Sequence, residues 1–123
     1  MLKKSAIYII LLLLCVSCEK NADVEQFRTG TYKTYLDDSD EVSTAIRSDA
    51  MQIEIYNEVR DTFSIRWKSN FEYELKKINP KKGLDSVPFY VKITGIKGNT
   101  YTFKANYKGS NFKQQGKAVK QTN

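Results

Sequence analysis

The chemical repertoire of this 123-residue chain is set first by an absence: among fourteen carboxylates and twenty basic side chains there is no histidine. The commonest general base and the commonest metal ligand are therefore both missing. Acid–base work would fall to carboxylates, to Ser with Lys, or to tyrosine. Asp37, Asp38, Asp40 and Glu41 are the densest acid group and could turn oxygens towards Ca²⁺, but the glycine and distal glutamate of a calcium loop are absent, so the segment reads as a solvated turn. Glu72 and Glu74 stand two apart, a spacing that places both on one face of a strand, as a glycosidase pair would be. That face lies opposite Phe71, Tyr73 and Leu75 and so should meet solvent. Arg66, beside Trp67, reads as half of an inter-strand ion pair with Glu72 or Glu54, worth ~0–1 kcal/mol if exposed. Lys76, Lys77, Lys81 and Lys82 bracket the longest connection, 79–86, and are the candidate contact surface, with a plain solvated loop as the alternative. No catalytic residue, metal site or cofactor is expected.

The two cysteines carry the most specific signal. Lys3 and Lys4 precede an apolar run over 6–16, broken only by Tyr8 and Cys15 and ending in the small Ser17, which is the layout of a secretory signal. The run falls short of the ~20 apolar residues that span a bilayer as a helix. Cys15, Val16, Ser17 and Cys18 resemble a lipobox, with Cys15 in the place where leucine is commoner. A cut before Cys15 would leave Leu14 at the scissile position, and signal peptidases need a small side chain there. Cys18 is therefore the expected lipid-attachment residue, residues 1–17 the signal peptide, 18–26 the lipidated cysteine and tether, and 27–123 the folded domain. The competing readings are a secreted protein with Cys18 free and an uncleaved N-terminal anchor. Cleavage removes Cys15, so no disulfide could form within one mature chain.

Charge is uneven. Residues 19–49 sum to −4 and 50–123 to +8, a basic domain that could lean on anionic headgroups or polysaccharide. The plainer reading puts the lysines on solvent faces of strands, where they oppose edge pairing. An export signal disfavours nucleic acid as a partner.

Beyond residue 26 the pattern is alternation with period two, the mark of strands with one buried face. The expected inward positions are Met51, Ile53 and Ile55; Phe63, Ile65 and Trp67; Phe71, Tyr73 and Leu75; Phe89, Val91 and Ile93; and Tyr101, Phe103, Ala105 and Tyr107. Weaker strands are expected over 27–36, 42–47 and 112–120. Turn residues separate them at 37–41, 57–61, 69–70, 97–99 and 108–110. Short connections join sequential antiparallel neighbours, so the fold class is all-β: an up-and-down meander of seven or eight strands closing as a lipocalin-like small barrel, or alternatively folding as a β-sandwich. Gly30, Thr31 and Tyr32 look like a softened form of the Gly-x-Trp element that opens lipocalin-type barrels. With so many aromatic side chains directed inwards, a filled interior is expected in preference to a roomy pocket.

Over most of the mature chain the sequence resembles a family of short, uncharacterised lipoproteins of flavobacterial type. The matching residues include Phe27, Arg28, Thr29 and Gly30; Ile53, Glu54, Ile55 and Tyr56; Ile65, Arg66 and Trp67; Glu72, Tyr73 and Leu75; Pro80 and Lys81; Tyr101, Thr102, Phe103 and Gly116. The name DNA topoisomerase IV, often attached to such proteins, has no ATP-binding motif or suitable length here to support it. The family implies a cysteine pair where this chain carries Val24 and Phe71, and it lends no catalytic or binding residues.

The functional expectation is a non-enzymatic envelope lipoprotein, attached to the outer membrane through lipid on Cys18 and facing the periplasm or the surface. It would bind another envelope protein or an anionic envelope component through its rim or basic loop. The alternatives are a small-molecule carrier using the barrel interior and a hydrolase; a cavity above about 300 Å³ would favour the carrier, and converging carboxylates in a cleft the hydrolase.

Overall fold

The computed structural model describes residues 24–81 and 83–122; the proposed signal helix, Cys18, most of the tether, Lys82 and Asn123 lie outside them. β-branched and aromatic residues at every second position build eight strands: β1 (Gly30–Leu36), β2 (Val42–Arg47), β3 (Met51–Tyr56), β4 (Val59–Ser69), β5 (Glu72–Lys77), β6 (Phe89–Lys97), β7 (Thr100–Tyr107) and β8 (Gln114–Lys120). Between β3 and β4, Asn57 and Glu58 both hold positive φ (47° and 68°), the primed turn whose twist matches the flanking strands.

Each strand pairs antiparallel with the next, and β8 returns to β1 with Tyr32 opposite Lys120, so the meander closes into a barrel and no free edge remains. Closure rules out the sandwich. The β1–β8 seam needs Gly116: a Cβ there would collide with the Tyr35 carbonyl oxygen and lie 3.1 Å from Phe103 Cζ.

Residues 24–26, expected in the tether, and Phe27 and Arg28, expected in the first strand, belong to a short 3-10 helix, Val24–Arg28, that seals one end of the barrel, and the strand itself starts at Gly30. Phe27 is its plug, fully buried with its ring 4.9 Å from that of Tyr101 in an edge-on contact. Side chains stitch the plug to the wall: Lys120 Nζ donates to the Gln26 carbonyl at 2.6 Å, Arg28 to Asn70 Oδ1 at 3.0 Å, and Gln26 Nε2 to the Gly98 carbonyl at 3.1 Å. Tyr32, at the place of the Gly-x-Trp aromatic, is also fully buried and donates its hydroxyl to the Thr29 carbonyl at 2.6 Å.

The expected inward parity holds on β4, β6 and most of β5 and β7: Ile65, Tyr73, Leu75, Val91, Ile93, Tyr101, Phe103 and Ala105 form one core, with Phe63, Trp67 and Phe89 packed against it. Two positions depart at strand ends. Phe71 precedes β5 in a turn and is exposed, and Tyr107 lies at the open rim. The larger correction is β3. Gln52 is buried while Met51 is exposed, so Met51, Ile53 and Ile55 face outwards and Gln52 and Glu54 face the interior. Cross-strand partners share a face. Phe63 on β4 opposes Gln52, and Ala45 on β2 opposes Glu54, so inward Phe63 and Ala45 carry those two polar residues inside with them.

Candidate functional site

The flipped parity of β3 leaves a cup in the unsealed half of the barrel. At the sealed end the interior is filled by Phe27, Tyr32 and Tyr101. Towards the other end it is lined by shorter or polar residues, among them Thr34, Ser43, Glu54, Asp61 and Gln114, and a cavity of about 330 Å³ remains. The expectation of a filled interior is thereby corrected: three large apolar side chains credited to the core stand outside it. The second 3-10 helix, Gly83–Ser86, and the residue after it place Leu84, Asp85 and Val87 at the mouth.

The floor is Arg47, 4% exposed. Its Nε donates to Gln52 Oε1 at 2.7 Å, Nη1 to the Phe27 carbonyl at 2.7 Å, and Nη2 to the hydroxyls of Tyr73 (3.1 Å) and Tyr101 (3.0 Å). Its guanidinium lies 4.5 Å from the ring centre of Tyr32 and 4.7 Å from that of Tyr73. Burial opposes the charge, and the phenol oxygens of Tyr73 and Tyr101 more than offset it, so the net pKa shift is upward. Arg47 thus ties the plug to β2, β3, β5 and β7. Its neighbour Trp67 keeps a buried Nε1 that has no hydrogen-bond partner among the described residues.

Above the floor, Gln52 works as a relay, since the amide that accepts from Arg47 also donates Nε2 to Glu54 Oε1 at 3.0 Å. Burial pushes the Glu54 carboxyl above the usual range; the Gln52 hydrogen bond and the charge of Arg47 pull it partly back, and Asp61 adds to the rise. Glu54 and Asp61 are direct cross-strand partners on the interior face. Lys77 Nζ lies between Asp61 (3.4 Å) and Asp85 (3.7 Å) at the mouth. The wall opposite is apolar, formed by Phe89, Val91, Phe103 and Tyr107 of β6 and β7.

Most of the residues singled out by type and spacing fall elsewhere. Asp37, Asp38, Asp40 and Glu41 are exposed around the β1–β2 turn, and no group of three potential metal ligands forms among the described residues. Glu72 and Glu74 do share the outer face, but Glu74 is not solvated: it is 7% exposed, 3.1 Å from Arg66 and 3.7 Å from Lys76. The partner of Arg66 is therefore Glu74, its direct cross-strand neighbour, and neither Glu72 nor Glu54. The four lysines do not gather on one surface. Lys76 faces outwards to Glu74, Lys77 faces the cup, Lys81 is exposed with its backbone N–H donating to Asp85 Oδ2 at 3.0 Å, and Lys82 lies outside the described residues. Cys18 lies outside them as well.

Arg47, Gln52 and Glu54 were missed because each follows an ordinary local pattern. The one available signal was that Arg47 shares the parity of Ala45. No family model matches the chain, and the comparisons with curated proteins and with solved structures found no match.

Proposed function

We propose that this chain is an envelope lipoprotein, anchored through Cys18, that acts by binding a small molecule in its barrel. The observation that carries the reading is the cup of about 330 Å³, open at one end and closed at the other by Phe27 over a hydrogen-bonded Arg47. Its size is at the low end of small-ligand sites, and its mix of an apolar wall with few fixed polar groups suits such a ligand. Two of the four loop lysines are held by carboxylates, which weakens the basic-loop reading. The membrane part rests on the lipobox sequence alone.

Two experiments test the two parts. Extraction of the protein purified from its native envelope, followed by mass spectrometry, should release a small molecule that is missing from Ser43→Phe, a change that places an aromatic ring in the mouth; equal recovery from both would count against the cup. Metabolic labelling with a fatty acid should mark the wild type and Cys15→Ser but not Cys18→Ser. Label retained on Cys18→Ser would end the lipoprotein reading.

One observation favours a second reading. Glu54, with its raised pKa, and Asp61, its neighbour, could serve as acid and base of a hydrolase. Asp61 is engaged by Lys77, and a cup sealed at its floor admits only a chain end. Turnover of a chromogenic glycoside, abolished by Glu54→Gln, would establish this reading in place of binding.

A further inference from the structure

The cup is not electrically neutral, and its imbalance is localised. Among the described residues three carboxylates line it (Glu54, Asp61 and Asp85) against two cations, Arg47 and Lys77. Lys77 faces Asp61 and Asp85. Arg47 spends its N–H groups on Gln52, the Phe27 carbonyl and two tyrosine hydroxyls, and the Gln52 amide stands between it and Glu54. Glu54 is left with one hydrogen bond, to Oε1, and among the described residues it has no cation within ion-pair distance. It is the interior carboxylate with its charge still to be met. In a closed ring of eight strands β3 stands four strands from β7, so Glu54 looks across the cup towards Phe103 and Tyr107.

Resting on the binding reading above, we infer that the ligand is a small amphipathic amine, its protonated nitrogen meeting Glu54 and its apolar body lying against Phe89, Val91 and Phe103. An anionic ligand would meet three carboxylates and find Arg47 already engaged. A neutral one would leave the Glu54 charge buried and unpaired, which is costly in a partly desolvated site. At roughly 30 Å³ per water molecule the cavity of about 330 Å³ matches the volume of about eleven waters, room for one aromatic ring with a two-carbon arm and its amine.

The test is a matched set of probes, 2-phenylethylamine, 2-phenylethanol and phenylacetate, titrated into the purified full chain at neutral pH. Affinity would be followed by calorimetry and location by ¹⁵N amide shifts at Ser43, Glu54 and Phe103. The amine should bind about ten- to a hundredfold more tightly than the alcohol, as a charge-assisted hydrogen bond supplies, and phenylacetate least. Glu54→Gln should erase the advantage of the amine and leave the alcohol unaffected. Equal binding of amine and alcohol, or an amine affinity indifferent to Glu54→Gln, overturns the amine assignment while the cup remains a binding site. Absence of cup shifts with all three probes overturns both.

Discussion

Replacing Arg47 by methionine removes a buried cation while keeping much of its apolar stem, and the consequences can be worked group by group. Tyr73 and Tyr101 lose the guanidinium but keep each other, their hydroxyls lying 2.9 Å apart. Gln52 Oε1 and the Phe27 carbonyl lose the Arg47 donor, with no other side-chain donor to either among the described residues, and each orphaned acceptor costs about 1–3 kcal/mol. The contacts with the Tyr32 and Tyr73 rings add about 0.5–2 kcal/mol each. Against these stands relief of the desolvation of a buried ion, several kcal/mol. The expected net loss is about 3 kcal/mol, within the range seen when one partner of a buried polar set is removed. At a urea slope of about 1–1.5 kcal/mol/M for a domain of this size, the midpoint should fall by about 2–3 M. Trp67, the single tryptophan, lies 5.8 Å from the guanidinium and reports the transition by fluorescence. Gln52→Leu should cost about 1 kcal/mol less in the Arg47→Met background than in the wild type, because there its amide oxygen is already orphaned while the loss of its hydrogen bond to Glu54 is common to both, a coupling that a double-mutant cycle isolates. A midpoint unchanged or raised in Arg47→Met would show that desolvation outweighs the network, and the assignment of Arg47 as the tie between plug and barrel would be wrong.

Other outcomes follow from the same interior. Because burial raises the Glu54 pKa, the stability owed to its neutral form is complete below the ordinary value of 4.5 and is lost as pH rises through the folded value; Glu54→Gln should therefore raise the urea midpoint at pH 7 and leave it unchanged at pH 4. Burial also pushes Tyr32 up to about 12 and Tyr73 well above 10, so stability should hold to about pH 10 and decline towards 12, with the phenolate absorbance owed to these two rings, read as the difference from Tyr32→Phe and Tyr73→Phe, appearing together with unfolding; that part of the absorbance appearing in a chain still folded by circular dichroism would contradict this. Gly116→Ala should cost about 1–3 kcal/mol, because the added methyl overpacks the β1–β8 seam against Tyr35 and Phe103, whereas Gly83→Ala, with nothing near its Cβ, should leave the denaturation midpoint where it is.

Much of the architecture was legible because its causes are local. Alternation over β4 to β7 marks strands with one face too apolar for water. The short turns at Asn57, Gly98 and Gly109, each with positive φ, leave neighbouring strands no arrangement but antiparallel. The site was less legible. Carboxylates conspicuous by spacing, Glu72 and Glu74, went to the outer face, and two of the carboxylates that line the cup, Glu54 and Asp61, lie seven residues apart on separate strands and meet only through register.

β3 shows where the division falls. By itself the segment Met51–Tyr56 announces a strand and its two faces, and its composition ranks Met51, Ile53 and Ile55 as the face to bury. Nothing within those six residues records what the neighbouring strands require. Hydrogen bonding on one side to a strand that buries Ala45 and Arg47, and on the other to one that buries Phe63 and Ile65, leaves a single parity open to β3, the one that carries Gln52 and Glu54 inside. The amino-acid sequence thus determined the strands and their order, which rest on short-range features. The buried Arg47 network, the cup and the sign of its charge were decided by ring closure, because a closed sheet settles the facing of every strand collectively and β3 takes the parity that its two hydrogen-bonded neighbours leave to it.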